Sequence, residues 1–561
     1  MNQIGKNKDP ALAGKRFVRR AVYHDDSQSL YESPATDTSR FLSDFIRLEV
    51  SHVPITTFCY MVATPDICLY ETQVGEVYGD RLSPDERNRR LQSEEPSYIK
   101  GIDGLRREGT DILRLVLDEL KPRGIEILAE IRMNDTQHKA LDPDDPSCPK
   151  FALDNPQFVI KQPDGRTNET ALDYSYEEVR SHRLAIMREI VERYDVDGLE
   201  LDFNRWAKHF PRHQGREKAH IITDMVRRIR EMMDEVSEKR GGERLTLGVH
   251  VPETLWACWM AGLDPRTWVN EGWIDYLTVA PFNETDPQLH VEEFAEFTRS
   301  TQCDLLVSMG DMIGGTWSGP PRISGRGAAK FRDCYSGMLL TAEEARAAAL
   351  NYYAWGADGI SFWNISCNMG RWGKWSGPAQ RERIWRWMNA VVAPKHARRL
   401  PRRYHYLPLY KGMSERRPPV RNYAWYAEGQ SPTGVFKTQI LRFPQESIGI
   451  RKVYHFRMAD GRMGERLRGW LRFNIFHIDP RDVVTVDVNG EVIHPDKVTR
   501  TTLDVNQIGL PGQFFEISLE DCPPFRGDNE LGLTAQVLHG QSEAYMEELD
   551  IFVEEILEAE I

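Results

Sequence analysis

Over residues 20–393 the apolar positions switch repeatedly between two spacings. Eight short runs are largely apolar, and the first and third end in polar and charged groups: RAVYHDD (20–26), ITTFCYMVA (55–63), IEILAEIRMND (125–135), VDGLELDFNRW (196–206), LTLGVHVPE (245–253), WIDYLTVAPF (273–282), DLLVSMGDM (304–312) and DGISFWN (358–364). Runs of that length, rich in β-branched and aromatic residues, predict buried strands. Between them the spacing i, i+3, i+4 predicts helices. Phe41, Leu42, Phe45 and Leu48 mark one before Pro54, and others cover 104–120, 219–239 before Gly241-Gly242, 290–300 and 381–391. Ser175 with Glu178, and Thr341 with Glu344, read as capping boxes that open helices through Arg193 and over 341–354.

Eight strands alternating with helices imply parallel pairing through crossover helices, and a closed (β/α)₈ TIM barrel over 20–393 is the economical solution. An open doubly wound sheet is the alternative. No GxGxxG or GxxxxGK[ST] follows any strand, which disfavours it. Residues 1–19 read as a polar tail, and 394–422, rich in Pro, Arg and Lys, as a connector over the barrel surface. Over 423–561 the helical spacing gives way to short alternating runs, with Asn489-Gly490 as a hairpin signal between two of them. That pattern predicts an antiparallel, jelly-roll-like β-sandwich.

Composition narrows the function classes. The 561 residues are 40% hydrophobic and 28% charged, as in ordinary globular proteins, and the formal net charge of −13 disfavours nucleic-acid or anionic-membrane binding. The 8 cysteines are scattered, without CxxC or a Cys/His cluster, so neither a zinc module nor a disulfide framework is signalled. The polar N-terminus carries no apolar signal core, and the chain reads as cytoplasmic, or as periplasmic or secreted if a leader has been removed. Homo-oligomerisation stays open.

Strand ends in a barrel converge on one rim, so each run contributes its terminal polar residues to the same place. Period two puts Glu200, Asp202 and Asn204 on one face of the fourth strand, and two neighbouring buried carboxylates raise each other's pKa. The first strand offers His24 and Asp25; the third offers Glu130, Arg132 and Asn134; the fifth offers His250. Arg205 follows the fourth strand, Asn283 and Glu284 the sixth, and Asp311 the seventh, while Trp363 ends the eighth and Trp317 lies in the loop behind the seventh. One protonated and one ionised carboxyl, with amides for hydroxyls and aromatic faces for sugar rings, suit glycosidic-bond hydrolysis. Trp206, Trp256, Trp372 and Trp375 are further aromatics in these loops, each equally readable as packing. Arg132 and Arg205 could clamp a substrate carboxylate or pair with the site's own acids. His24, Asp25, Glu130 and His250 could together hold a metal, but hydroxyl ligation is the simpler reading, and no metal or other cofactor is expected. Asp142 to Asp145 reads as a solvated turn.

The segment REIVERYDVDGLELDFNRW, with SYEEVRSHRL before it and YYAWGADGISFWN later, resembles bacterial glycosyl hydrolases of the "family 10-like" barrel group. The resemblance covers residues 20–390 and implies a sugar-acting barrel, with Asp202 the residue carried over most directly and Glu200 and Asp197 beside it. Sugar-acting barrels of one type place the acid after strand 4 and the nucleophile after strand 7, which implies Glu200 or Asp202 with Asp311. Those of another place the nucleophile on strand 4 and the acid after strand 6, which implies Asp202 with Glu284. The C-terminal runs resemble galactose-binding-like accessory domains. The expectation is a glycoside hydrolase acting on a carbohydrate; the alternatives are a catalytically silent sugar-binding barrel and a metal-assisted lyase or hydrolase.

Overall fold

The computed structural model describes residues 20–134, 140–161, 171–205, 207–280, 285–310, 312–314, 329–330, 336–365, 378–406, 439–461, 466–505, 510–540 and 542–557. The barrel strands are β1 (Ala21–Asp25), β2 (Thr57–Ala63), β3 (Glu126–Arg132), β4 (Gly198–Asp202), β5 (Thr246–Pro252), β6 (Tyr276–Ala280), β7 (Asp304–Met309) and β8 (Gly359–Trp363). All pair in parallel with their sequence neighbours, and β1 pairs with both β2 and β8, so the sheet closes on itself. Each strand is fully or almost fully buried because helices cover its outer side and side chains from the other strands fill the barrel on its inner side.

The covering helices are α1 (Thr38–Ser51), α2 (Ile112–Leu120), α3 (Glu177–Arg193), α4 (Gly215–Lys239), α5 (Pro265–Asn270), α6 (Glu292–Thr298), α7 (Ala342–Ala354) and α8 (Pro378–Val391). Two local expectations change. The single helix expected over 104–120 is two, Tyr98–Arg107 and α2, because Gly109 turns at φ 78° and Asp111 caps the second by accepting Arg114 N–H at 3.0 Å. Ser175 is not a helix cap: α3 begins after Tyr176 without a side-chain cap, and the Ser175 hydroxyl accepts from Lys218 at 2.7 Å instead. The Thr341–Glu344 capping box is present as expected.

The sandwich strands are β9 (Arg402–Tyr406), β10 (Arg451–Met458), β11 (Arg466–Phe476), β12 (Val483–Val488), β13 (Val498–Thr502), β14 (Gly512–Ser518), β15 (Gly527–Val537) and β16 (Leu549–Leu557). One antiparallel sheet runs β9-β16-β11-β14-β13, and the facing one runs β10-β15-β12, closing on Tyr454, Phe473, Phe515 and Leu533 in a common core. Asn489 and Gly490 both take positive φ, as a two-residue hairpin demands. The segment read as a connector contributes structure of its own. Pro394–Ala397 is a helical turn and β9 is an edge strand of the large sheet, because Tyr404 and Tyr406 alternate inward with period two; 407–422 lies outside the described residues.

Barrel and sandwich are joined by buried polar contacts. Glu344, having capped α7, accepts from His405 Nδ1 at 2.9 Å through its other oxygen. Asn351 donates to the Arg457 carbonyl at 3.0 Å and accepts Ala459 N–H at 2.7 Å, while the Arg457 guanidinium lies 4.5 Å from the Trp355 ring centroid. No helix among the described residues is long and apolar enough to cross a membrane. Six cysteines among them are free and buried.

Candidate active site

Parallel register fixes which side chains share the barrel interior. Glu130 pairs with Glu200, and Glu200 with Gly248; Arg132 pairs with Asp202, and Asp202 with His250. The barrel's stagger then stacks inward residues in layers drawn from alternate strands. His24, Glu130, His250 and Ser308 come from the odd strands. Cys59, Glu200, Thr278 and Ser361 come from the even strands, and lie one layer further from the rim. Below them Val22, Leu128, Tyr276 and Leu306 form an apolar plug with Cys59. At the foot, Glu126 ties Arg20, Thr57 and Thr246 together, a fastening that is remote from the rim.

The upper layers are polar and buried. His24 Nδ1 lies 2.9 Å from Glu130 Oε2 and 3.2 Å from Glu200 Oε1. The other oxygen of Glu200 accepts from the Tyr276 hydroxyl and from Cys59 Sγ at 3.6 Å. Tyr276 reaches it because Gly248 carries no side chain: a Cβ there would sit 2.5 Å from Tyr276 Cε1. Burial pushes the Glu200 carboxyl up to about 7. Burial also pushes Glu130 well above the usual carboxylate range, and the charge of Asp202 adds to it. Burial raises Asp202 as well, but the backbone N–H groups of Asn204 (2.8 Å) and Arg205 (2.9 Å) donate to its Oδ1 and favour the ionised form. His250 Nδ1 lies 3.8 Å from Asp202 Oδ1, and burial holds this imidazole neutral.

The remaining expected residues divide by role. Asp25 falls on the outer face of β1, where it accepts from Ser29 at 2.5 Å, so its side chain turns away from the interior; burial pushes it up to about 7. Asn134 ties loops together, donating to the carbonyls of Leu172 (3.0 Å) and Lys208 (2.5 Å). Asn204 donates to the Ala280 carbonyl at 3.3 Å and links β4 to β6. Arg132 pairs with Asp26, and Arg205 lies 5.6 Å from the Trp363 ring centroid. Asp197 sits at the opposite end of β4 from the rim, where its Oδ2 accepts Ile127 N–H at 2.8 Å. Asp142 and Asp145 accept backbone N–H groups within their own turn. Trp256 is exposed on the short helix behind β5. Glu284, Asn283, Asp311 and Trp317, with Trp206, Trp372 and Trp375, lie outside the described residues.

Tyr276, Cys59, Thr278, Ser308 and Ser361 were not anticipated as members of the cluster. Their signal was parity: each is a polar or thiol group at an inward position of an otherwise apolar strand. His24, Cys59 and Glu200 present donor atoms within 4.8 Å of one another, a set able to hold a divalent ion. Hydrogen bonds already engage these atoms: Tyr276 and Cys59 occupy Glu200 Oε2, and Glu130 occupies His24 Nδ1.

No family model and no curated protein matches the chain. Among solved structures it is similar to α-L-fucosidase isoenzyme 2 from Paenibacillus thiaminolyticus, at 13% identity and TM-score 0.37, with 67% of this chain covering 50% of that one. It is also similar to the glycoside hydrolase domain of PgaB from Bordetella bronchiseptica, at 10% identity and TM-score 0.39, covering 67% and 99%. A maltogenic α-amylase from Thermotoga neapolitana follows, at 12% identity and TM-score 0.36, covering 95% and 98%. The chain spans half the length of the fucosidase. The barrel is evident from the strand order itself. By fold and site the chain is a (β/α)₈ barrel with a cluster of buried carboxylates toward its C-terminal rim, followed by a β-sandwich.

Proposed function

We propose that the chain is a glycoside hydrolase in which Glu130 is the general acid and Asp202 the nucleophile or water-activating base. The observation that carries this reading is the unequal treatment of two neighbouring carboxyls. Burial raises both, but it takes Glu130 well above the usual carboxylate range with the charge of Asp202 adding to it, whereas two backbone N–H groups donate to Asp202 and favour its charge. Environments that push two titratable groups apart are what acid and base roles require. Near the same rim Trp363 is buried with the Arg205 guanidinium 5.6 Å from its ring centroid, and neutral His250 keeps two buried ring nitrogens without a hydrogen-bond partner among the described residues.

Glycosidic oxygen leaves as a poor alkoxide unless protonated, so the Glu130 proton passes to it as the bond breaks. Asp202 stabilises the positive charge that develops on the ring carbon, either by bonding to it or by taking a proton from attacking water. The test is hydrolysis of a panel of defined glycans by the wild type, Glu130→Gln and Asp202→Asn. The reading expects turnover of at least one glycan by the wild type and loss of turnover with retained binding in both variants.

A further inference from the structure

Glu200 is the more buried carboxylate of β4 and lies two residues, about 6.6 Å along the strand, further from the rim than Asp202. Tyr276 and Cys59 hold one oxygen from below and beside it, and the other faces His24. The layer of His24, Glu130 and His250 stands between it and any bound sugar. Yet a buried carboxylate is costly, and Gly248 is kept free of a side chain so that Tyr276 can reach this one. A group so carefully housed and so remote from substrate acts through a neighbour.

That neighbour is His24, one nitrogen of which contacts both Glu130 and Glu200. We propose that Glu200 is a positioning residue: it fixes His24 with Nδ1 protonated, so that Nδ1–H engages Glu130 Oε2 and leaves Glu130 Oε1 to carry the transferable proton. Glu130 Oε1 has no hydrogen-bond partner among the described residues, as this arrangement requires, and neither has Glu200 Oε1, so Glu200 acts on His24 through its charge at 3.2 Å while the hydrogen bond goes to Glu130. Second-layer carboxylates commonly set imidazole tautomers in this way. The other charged and titratable groups facing the trio are Cys59 on β2, Arg132 on β3, Asp202 on β4, His250 on β5, Tyr276 on β6 and Asp26 beyond β1. Asp25 lies on the outer face of β1. The effect on turnover rests on the hydrolytic reading; the trio itself does not.

The test is Glu200→Gln, a nearly isosteric change that removes the charge. Two measurements are made across pH on the full chain: kcat/KM on a hydrolysed glycan, and histidine side-chain NMR with His24 assigned by His24→Gln. Removing a negative charge beside Glu130 makes that acid lose its proton at lower pH, so the alkaline limb of kcat/KM moves to lower pH while KM stays within about two-fold. The His24 ring proton, held on Nδ1 in the wild type, is redistributed toward Nε2 in the variant. An unmoved alkaline limb, or a His24 tautomer equal to that of the wild type, overturns the proposal. So does loss of turnover at every pH in Glu200→Ala that azide or formate restores, because that makes Glu200 itself a reacting group. A wild type that hydrolyses nothing, with the His24 tautomer shift present, sinks the hydrolytic reading and leaves the trio standing.

Discussion

Replacing Gly248 by Ala tests whether the interior was built around Glu200. The added Cβ would lie 2.5 Å from Tyr276 Cε1 and closer still to the ring carbon bearing the hydroxyl. This ring has no room to retreat, being fully buried in the apolar plug with Val22, Leu128 and Leu306. Overpacking of a closed core costs about 1–3 kcal/mol. Displacing the ring also takes its hydroxyl from Glu200, and a buried carboxyl left without a donor costs about 1–3 kcal/mol more. Tyr276→Phe should therefore destabilise by the second amount alone, and Gly248→Ala by about 2–6 kcal/mol. The double variant should be little worse than Gly248→Ala, since the hydroxyl contact is already gone there. Urea unfolding followed by the helical band of circular dichroism reports the barrel, where the long helices lie. A neutral Gly248→Ala, or two effects that simply add, would refute this account of the interior.

Other consequences are checked more simply. Asp25 titrates at about 7 in the folded chain against 3.8 for an ordinary aspartate, so the folded state binds the extra proton between those values. Stability should fall as pH rises through that window, with a slope of at most about 1.4 kcal/mol per pH unit, and Asp25→Asn should flatten it; an unchanged slope in thermal melts would contradict the assignment. Glu344→Gln removes the charge from both the Thr341 cap and the His405 contact, and should cost about 1–3 kcal/mol and expose the barrel–sandwich junction to limited proteolysis. A cleavage pattern equal to that of the wild type would show that the junction does not depend on it.

The fold was largely legible because a barrel announces itself by repetition. Eight apolar runs separated by helical spacing leave little choice of topology, and the strand centred on Glu200 and Asp202 was visible from period two. Helix boundaries were less legible where one residue decides them: Gly109 splits a helix that apolar spacing alone joins, and Ser175 prefers Lys218 to a cap. Strand β9 was hidden because its inward residues are tyrosines set among arginines, a composition that reads as solvent-exposed. The site was legible as a set of strand-end acids, but period two alone does not rank them by depth. Layering between strands depends on stagger, which no single strand encodes, and it separates Glu200 from Asp202 although they are neighbours on one face. The same limit concealed Tyr276 and Cys59, whose importance comes from what lies across the barrel.

The central claim is that Glu130 and Asp202 break glycosidic bonds. It is tested most directly by incubating the wild type, Glu130→Gln and Asp202→Asn with defined glycans and following the first anomer released by NMR. The account predicts release of a single anomer by the wild type, with turnover lowered by at least about 10²-fold in each variant while sugar binding persists. Binding without turnover by the wild type across the whole panel, or an Asp202→Asn variant as active as the wild type, would contradict it.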